Sequence, residues 1–309
     1  MIYTLTVNPS VDFHMDLSRS GFEAGKINRS LGEEMFPGGK GLNVSVVLAQ
    51  LGIDSTAWGF AAGRCGGLLE ALAEERGVRC RLIRLSEGET RINVKLDCEQ
   101  ETAINGNGPS IPPEAVSLLM ENVRSLSSAD TLVLSGNLQA GSENLYEAVC
   151  HEAFGRGARL AVDTGGEDLR RVLGSAPYLI KPNEDELLEM YGSSDHSEEN
   201  IISLMRKCHL DGAQSVLATL GERGALYLSL EGELFRAAVV KPGPVVSTVG
   251  AGDSTVAGFL AGVSRFPGDY GRALHLACAA GTAAARCRWL ASGAEIEAAA
   301  ADIVVERIS

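Results

Sequence analysis

The 309-residue sequence predicts an α/β fold, with a mainly parallel central sheet covered by helices on both faces. Two observations predict it. From residue 112 onward, short aliphatic or β-branched runs alternate with amphipathic stretches of helix length. Strands and helices in that rhythm imply right-handed crossovers and parallel strands buried on both faces. Two stretches, about 11–36 and 88–106, break the rhythm with short, polar, alternating pieces. They predict peripheral strands, a small lid inserted into one domain spanning 1–309.

The elements follow in order. Residues 1–7 run apolar and β-branched, as a core strand does, and N-P-S-V-D stops them with Asp12 just beyond. A Pro-Gly-Gly turn at 37–39 opens a helix that ends at Gly52, a C-terminal cap. Strands at 55–60 and 81–85 flank a helix at 66–76, which Gly77 ends. Residues 90–98 alternate cleanly and form a predicted hairpin with 101–105. There Arg91, Asn93, Lys95 and Asp97 share one face, opposite Ile92, Val94 and Leu96. That polar face is either the solvent side, as is usual, or a cover over a phosphorylated ligand. A helix begins with proline at 112. Strands at 131–135, 159–164, 178–181 and 215–220 then alternate with helices at 143–155 and 198–210. A hairpin at 225–235, a helix from Asp253 and a helix at 272–286 complete the chain.

Composition excludes several functions. A net charge of -13 argues against a general nucleic-acid or anionic-membrane surface, so an anionic ligand would need a local basic pocket. No run approaches membrane-spanning length, and the start lacks the basic region of a signal peptide. Seven scattered cysteines without a C-x-x-C pair predict reduced thiols in a cytoplasmic protein. Five isolated histidines predict no zinc site, and no G-x-S-x-G elbow is present.

Two glycine turns carry the chemistry. In S-T-V-G-A-G-D-S (247–254), Gly250 and Gly252 allow a tight turn into a helix. The unpaired first amides and positive dipole of a helix start suit an anion, phosphate above all. Asp253 in that first turn is either a helix cap or a carboxylate beside the anion site. In P-G-G-K-G-L-N (37–43), Lys40 and Asn43 open a helix, but Gly41 replaces the Ser or Thr of a Walker A loop. Asp12, Ser135, Asp163, Lys181, Asn183, Glu186, Thr219, Gly221, Gly224 and the 250–253 turn all follow predicted strands, and together they would line one sheet edge.

G-G-K-G-L-N-V-S, K-P-N-E-D-E, T-L-G-E-R-G-A and S-T-V-G-A-G-D-S-T-V-A-G-F-L occur in this order along the whole chain. They resemble the motifs of the ribokinase/PfkB family of carbohydrate kinases. N-P-S-V-D at 8–12 and T-R-I-N-V-K-L at 90–96 are most similar to its branch acting on phosphorylated hexoses. The resemblance implies a ribokinase-like three-layer α/β/α sandwich with a small β lid, often a dimer interface. It implies ATP-dependent phosphorylation of a sugar phosphate: fructose 1-phosphate first, with tagatose 6-phosphate and fructose 6-phosphate as alternatives. Asp253 would be the base, and the amides of Gly250, Ala251 and Gly252 the anion hole. Asn183 and Glu186 would organise Mg²⁺ through water, Lys181 would reach the donor phosphates, and Thr219, Gly221 and Gly224 would border the nucleotide. Asp12, Asn43 and the backbone of Gly38 and Gly39 would hold sugar hydroxyls. Lys40, Arg91 and Asn93, with Ser135, would hold the phosphate already on the sugar. Phosphoryl transfer asks chiefly for positioning and charge stabilisation, which such groups supply. A non-catalytic binding protein on the same fold is the competing class, disfavoured because Asp253 and its glycines are intact. Two departures fall near the expected sugar side: S-G-N-L-Q at 135–139, with Asn137 for a serine and Gln139 for a proline, and D-T-G-G at 163–166, with Gly165 where serine is common.

Overall fold

Strand alternation assigns each apolar side chain to one of two cores. In a computed structural model, which describes every residue except 19, 20, 100, 101, 137–142 and 242, Leu132 and Leu134 join one buried cluster and Val133 between them joins the other. Val216 and Ala218 likewise oppose Leu217. Both faces of the strands are therefore dry, as in a parallel sheet under two helix layers.

The main sheet has ten strands. From one edge they are β5 (Arg79–Leu85), β4 (Ser55–Ala62), β1 (Ile2–Thr6), β8 (Thr131–Ser135), β9 (Arg159–Asp163), β10 (Leu179–Ile180) and β11 (Val216–Thr219), then β12 (Ala225–Leu228), β13 (Leu234–Val239) and β14 (Ile303–Arg307). Pairing is parallel from β5 to β11 and antiparallel from β11 to β14. One helix layer holds α1 (Lys40–Gln50), α2 (Gly63–Glu75), α8 (Ala251–Arg265), α9 (Tyr270–Ala285) and α10 (Gly293–Ala300). The other holds α3 (Pro113–Arg124), α4 (Glu143–Gly155), α5 (Gly166–Leu173), α6 (Glu184–Tyr191) and α7 (Glu198–Leu210). Connections leave β1 toward β4 on one side and return to β8 on the other. The carboxyl ends of β1 and β8 thus form the switch point where α/β folds open a crevice.

A second sheet of four strands lies outside this sandwich: β3 (Glu33–Gly38), β2 (Ser10–Asp16), β6 (Arg91–Asp97) and β7 (Thr102–Asn105). Two expectations change here. Asp12 lies inside β2 rather than in a turn, because β1 ends at Thr6 and the chain pairs again directly after Pro9, from Ser10. Pro37 and Gly38 finish β3 instead of forming a turn. Proline is tolerated there because β3 is an edge strand. The sequence alone assigns neither α10 nor β14. Both are set by packing, β14 by pairing with β13.

Among the described residues no helix is long and apolar enough to cross a membrane. All seven cysteines are free thiols.

Candidate active site

The glycine turn enters α8 at Ala251, two residues earlier than the start expected at Asp253. Gly250 is the N-cap, in the left-handed region at φ 78°, where a side chain would be strained. A Cβ there would also lie 2.6 Å from Leu290 Cδ2. No side chain caps this helix, so Asp253 is not a cap. The Ala251 N–H reaches the Thr248 carbonyl at 3.3 Å, while the following amides open the helix without intrahelical partners.

Asp253 is buried, and its Oδ2 accepts a hydrogen bond from Asn43 Nδ2 at 2.7 Å, across 210 residues of sequence. Burial, and then the charge of Asp163, push its pKa up to about 7, against the opposing pull of Asn43, Lys40 and Lys181. Asp163 at the end of β9 pairs with Lys181 Nζ at 3.1 Å, and both are buried. Burial works against the ammonium, yet Asp163 and Glu186 outweigh it and raise the Lys181 pKa, so the cation is kept. It stands beside the helix start, 3.4 Å from where a Cβ on Gly252 would sit.

The second sheet supplies the opposite wall. Asn93 Nδ2 donates to Asp12 Oδ1 at 2.9 Å and to Ser10 Oγ at 3.0 Å, and Ser10 donates to Asp12 at 2.6 Å. A Cβ on Gly38 would collide with the same Asp12 and Ser10 oxygens, so only glycine lets β3 approach. Half-buried Arg91 donates from Nε to the Asn8 carbonyl at 3.2 Å. Burial lowers its pKa and Asp12 raises it, but a guanidinium stays charged at neutral pH. Exposed Lys40 begins α1, its chain 3.8 Å from a Cβ placed on Gly136. Arg91 and Asn93 on the polar face of β6 therefore point into the cleft, whereas Ile92 and Ile104 on the other face are 44% and 59% exposed. This inverts the usual rule for a half-solvated sheet.

On the far side, Asn183 caps α6 in a reciprocal box with Glu186, at 2.8 Å each way, and pairs with Thr219 across a β-bridge. Gly221 begins, and Gly224 caps, a single 3₁₀ turn between β11 and β12. A Cβ on Gly165 would lie 3.0 Å from Glu186 Oε1, so that departure abuts Glu186 rather than the second-sheet wall. Asn137 and Gln139 lie outside the described residues.

Asp12, Gly39, Lys40, Asn43, Arg91, Asn93, Ser135, Asp163, Lys181, Asn183, Glu186, Thr219, Gly221, Gly224 and the 250–253 turn line one cleft of about 1070 Å³. Gly38 acts behind it, through Asp12 and Ser10. Several lining residues carry no motif of their own. Asp163 had shown its strand-end position and nothing more. Tyr146, whose hydroxyl donates to the Ser135 carbonyl at 3.1 Å, had no signal at all. Among the described residues Asn43 Oδ1, Asn93 Oδ1 and Ser135 Oγ are buried with no hydrogen-bond partner. They are capacity left for a ligand. No group of three or more His, Cys, Asp or Glu among the described residues could hold a metal by itself. The oxygens of Glu186 and Asn183 suit Mg²⁺, which keeps several waters and takes few protein ligands.

The pfkB family carbohydrate kinase model matches residues 8–299. The chain is 38% identical over 266 residues to the 1-phosphofructokinase of Bacillus subtilis, covering 86% of each protein. It is 32% identical over 310 residues to the D-tagatose-1-phosphate kinase of Bacillus licheniformis, covering 100% of each. The crystal structure of phosphofructokinase-2 from Escherichia coli in complex with fructose-6-phosphate superposes with a TM-score of 0.86 at 28% identity, covering 97% of this chain and 98% of that one. The family model spans nearly the whole chain and the relatives match most of it: the chain belongs to the pfkB family of carbohydrate kinases, phosphotransferases with an alcohol group as acceptor.

Proposed function

We propose that the protein transfers the γ-phosphoryl group of ATP to a hydroxyl of a sugar phosphate, fructose 1-phosphate giving fructose 1,6-bisphosphate. The observation that carries this reading is the placement of cations at both ends of one cleft around Asp253: Lys181 at the helix start, Lys40 and Arg91 toward the second sheet. A free sugar would need only one of these ends.

Asp253 takes the proton of the acceptor hydroxyl. A pKa near 7 suits a general base at neutral pH, since it is then both available and basic. Asn43 fixes the carboxylate by its 2.7 Å hydrogen bond. The amides of Gly250, Ala251 and Gly252 and the α8 dipole face the phosphoryl group as its charge grows. Lys181 neutralises the donor phosphates from the same side. Asn183 and Glu186 would hold Mg²⁺ through water, and the ion would supply further charge neutralisation there.

Thr219, Gly221 and Gly224 border the nucleotide. Its base fits the wing of the cleft lined by Val239, Val245, Val249 and Ala285. Asp12, Asn43 and the backbone of Gly38 and Gly39 receive sugar hydroxyls. Lys40, Arg91 and Asn93, with Ser135, receive the phosphate that stays, by charge-assisted hydrogen bonds.

The second sheet serves as a lid that excludes water during transfer. Its exposed Met35, Ile92 and Ile104 form an apolar outer face suited to a homodimer contact. Free thiols fit a reducing cytoplasm.

The test is ADP release measured over fructose 1-phosphate, tagatose 1-phosphate, tagatose 6-phosphate, fructose 6-phosphate and free fructose. The expected order puts fructose 1-phosphate first. Equal kcat/KM with free fructose would overturn the role given to Lys40 and Arg91.

A further inference from the structure

The segment that leaves α9 lines the cleft with Arg286 at its root and then runs on outside it to touch both walls. Arg288 donates to Asp97 Oδ2 at 2.6 Å and lies 3.6 Å from Asp16 Oδ2. These two aspartates are register partners at the ends of β6 and β2. Like charges placed opposite each other weaken a sheet, and Arg288 neutralises the pair from outside it. The next residue, Trp289, stacks on Phe36 of β3 with centroids 4.4 Å apart and planes 18° from parallel. The guanidinium of Arg76, the residue that caps the end of α2, covers both rings, 5.1 Å from Phe36 and 4.7 Å from Trp289. His14 of β2 meets the far side of Phe36 edge-on at 5.1 Å. Three of the four strands of the second sheet are therefore gripped by two consecutive side chains. The third, Leu290, fills the space against Gly250, whose absent Cβ would lie 2.6 Å away. Trp289 and Leu290 both pack on the cluster of Val11, Leu42 and Val46. The root of the segment is tied down as well. Arg286 bonds the Lys241 carbonyl at 2.7 Å, and the Ala285 carbonyl accepts from Val246 N–H at 2.8 Å, just before the glycine turn.

We propose that residues 288–290 form a strap that couples the position of the second sheet to the geometry of the Gly250 turn. Arg288 and Trp289 take up the sheet's position, and Leu290 transmits it to the amides that receive the phosphoryl group. They are positioning residues. The physical basis is rigidity: three consecutive residues cannot shift at one end while a packed leucine stays put at the other. The inference rests on the kinase reading above.

Trp289 is also the reporter. The other tryptophan, Trp58, is buried in the main core and gives a constant background. In the wild-type enzyme, saturation with fructose 1-phosphate should change Trp289 emission. Leu290→Ala should keep that change while kcat falls by about fivefold or more and the KM for ATP stays within about twofold. Trp289→Phe, which preserves the stack, should restore kcat to within about twofold of wild type. Arg288→Gln and Asp97→Asn combined should lose no more kcat than the worse single variant, as members of one contact do. Wild-type kcat in both Leu290→Ala and Arg288→Gln would overturn the strap. So would fully multiplicative losses for Arg288 and Asp97. If Leu290→Ala fails to fold, the exposed Arg288 decides. If fructose 1-phosphate is not a substrate, the substrate reading fails alone, and the same series runs on the sugar phosphate that is turned over.

Discussion

At the α8 end of the cleft the positive charge is backbone dipole plus one ammonium, Lys181, whose side chain is 6% exposed and pinned by Asp163. At the second-sheet end it is two side chains without a carboxylate among the described residues pinning them, exposed Lys40 at the first turn of the core helix α1 and half-buried Arg91 on the peripheral sheet. The first arrangement cannot change without unfolding a helix. The second can be exchanged residue by residue. Chemistry common to a family belongs at the rigid end, where charge develops in the transition state. Discrimination among acceptors belongs at the adaptable end, where binding energy differs from one sugar to the next.

The sharpest way to break this comparison is Asp253→Asn. It should lower kcat by about 10³-fold or more with ATP affinity kept, as measured by steady-state kinetics and nucleotide binding. Near-normal turnover would remove the base from the rigid end. The same variant should be more stable than wild type at pH 8. The Asp253 pKa, about 7 in the folded protein, lies above its ordinary value of 3.8, so the native state binds this proton more tightly than the unfolded chain. Stability from this group is present at low pH and lost as pH rises through about 7. A thermal melt at pH 8 should therefore show a higher Tm for Asp253→Asn, and a lower one would contradict the buried, uncompensated carboxylate.

Arg91→Ala should raise the KM for the sugar phosphate by about tenfold or more, leaving the KM for ATP nearly unchanged. Equal effects on both substrates would erase the division between the two ends. Next in size, kcat/KM should fall as pH drops below about 7, because the base must be deprotonated to act. Asp163→Asn should move that acid limb to lower pH by roughly one unit or less, since a neighbouring negative charge is removed. An unmoved limb would mean that Asp163 serves Lys181 alone.

Much of this was legible beforehand. The βα rhythm, the helix start at 250–253 and the Lys40 cation at the helix start of P-G-G-K-G follow from local pattern. The second sheet was less legible. Its residues alternate like any half-solvated hairpin, and alternation says that two faces differ without saying which one is wet. Asp12 read as a turn residue because proline and serine precede it, yet β2 recovers immediately by pairing with β3 and β6. Tyr146 and Leu290 looked like ordinary core, because what matters in each is the backbone it reaches.

The sequence by itself determined the layered α/β architecture and the residue types the chemistry needs, because both rest on periods of two and 3.6 and on the local demands of glycine and helix starts. Only the tertiary structure decided that Asn43 meets Asp253 from 210 residues away, that Asp163 is paired inward with Lys181, and that Arg91 and Asn93 of β6 look into the cleft. Those outcomes depend on which surfaces are packed together and kept from water, and that is a property of the whole chain, which no local window contains. The burial that raises the pKa of Asp253 to about 7 is of the same kind.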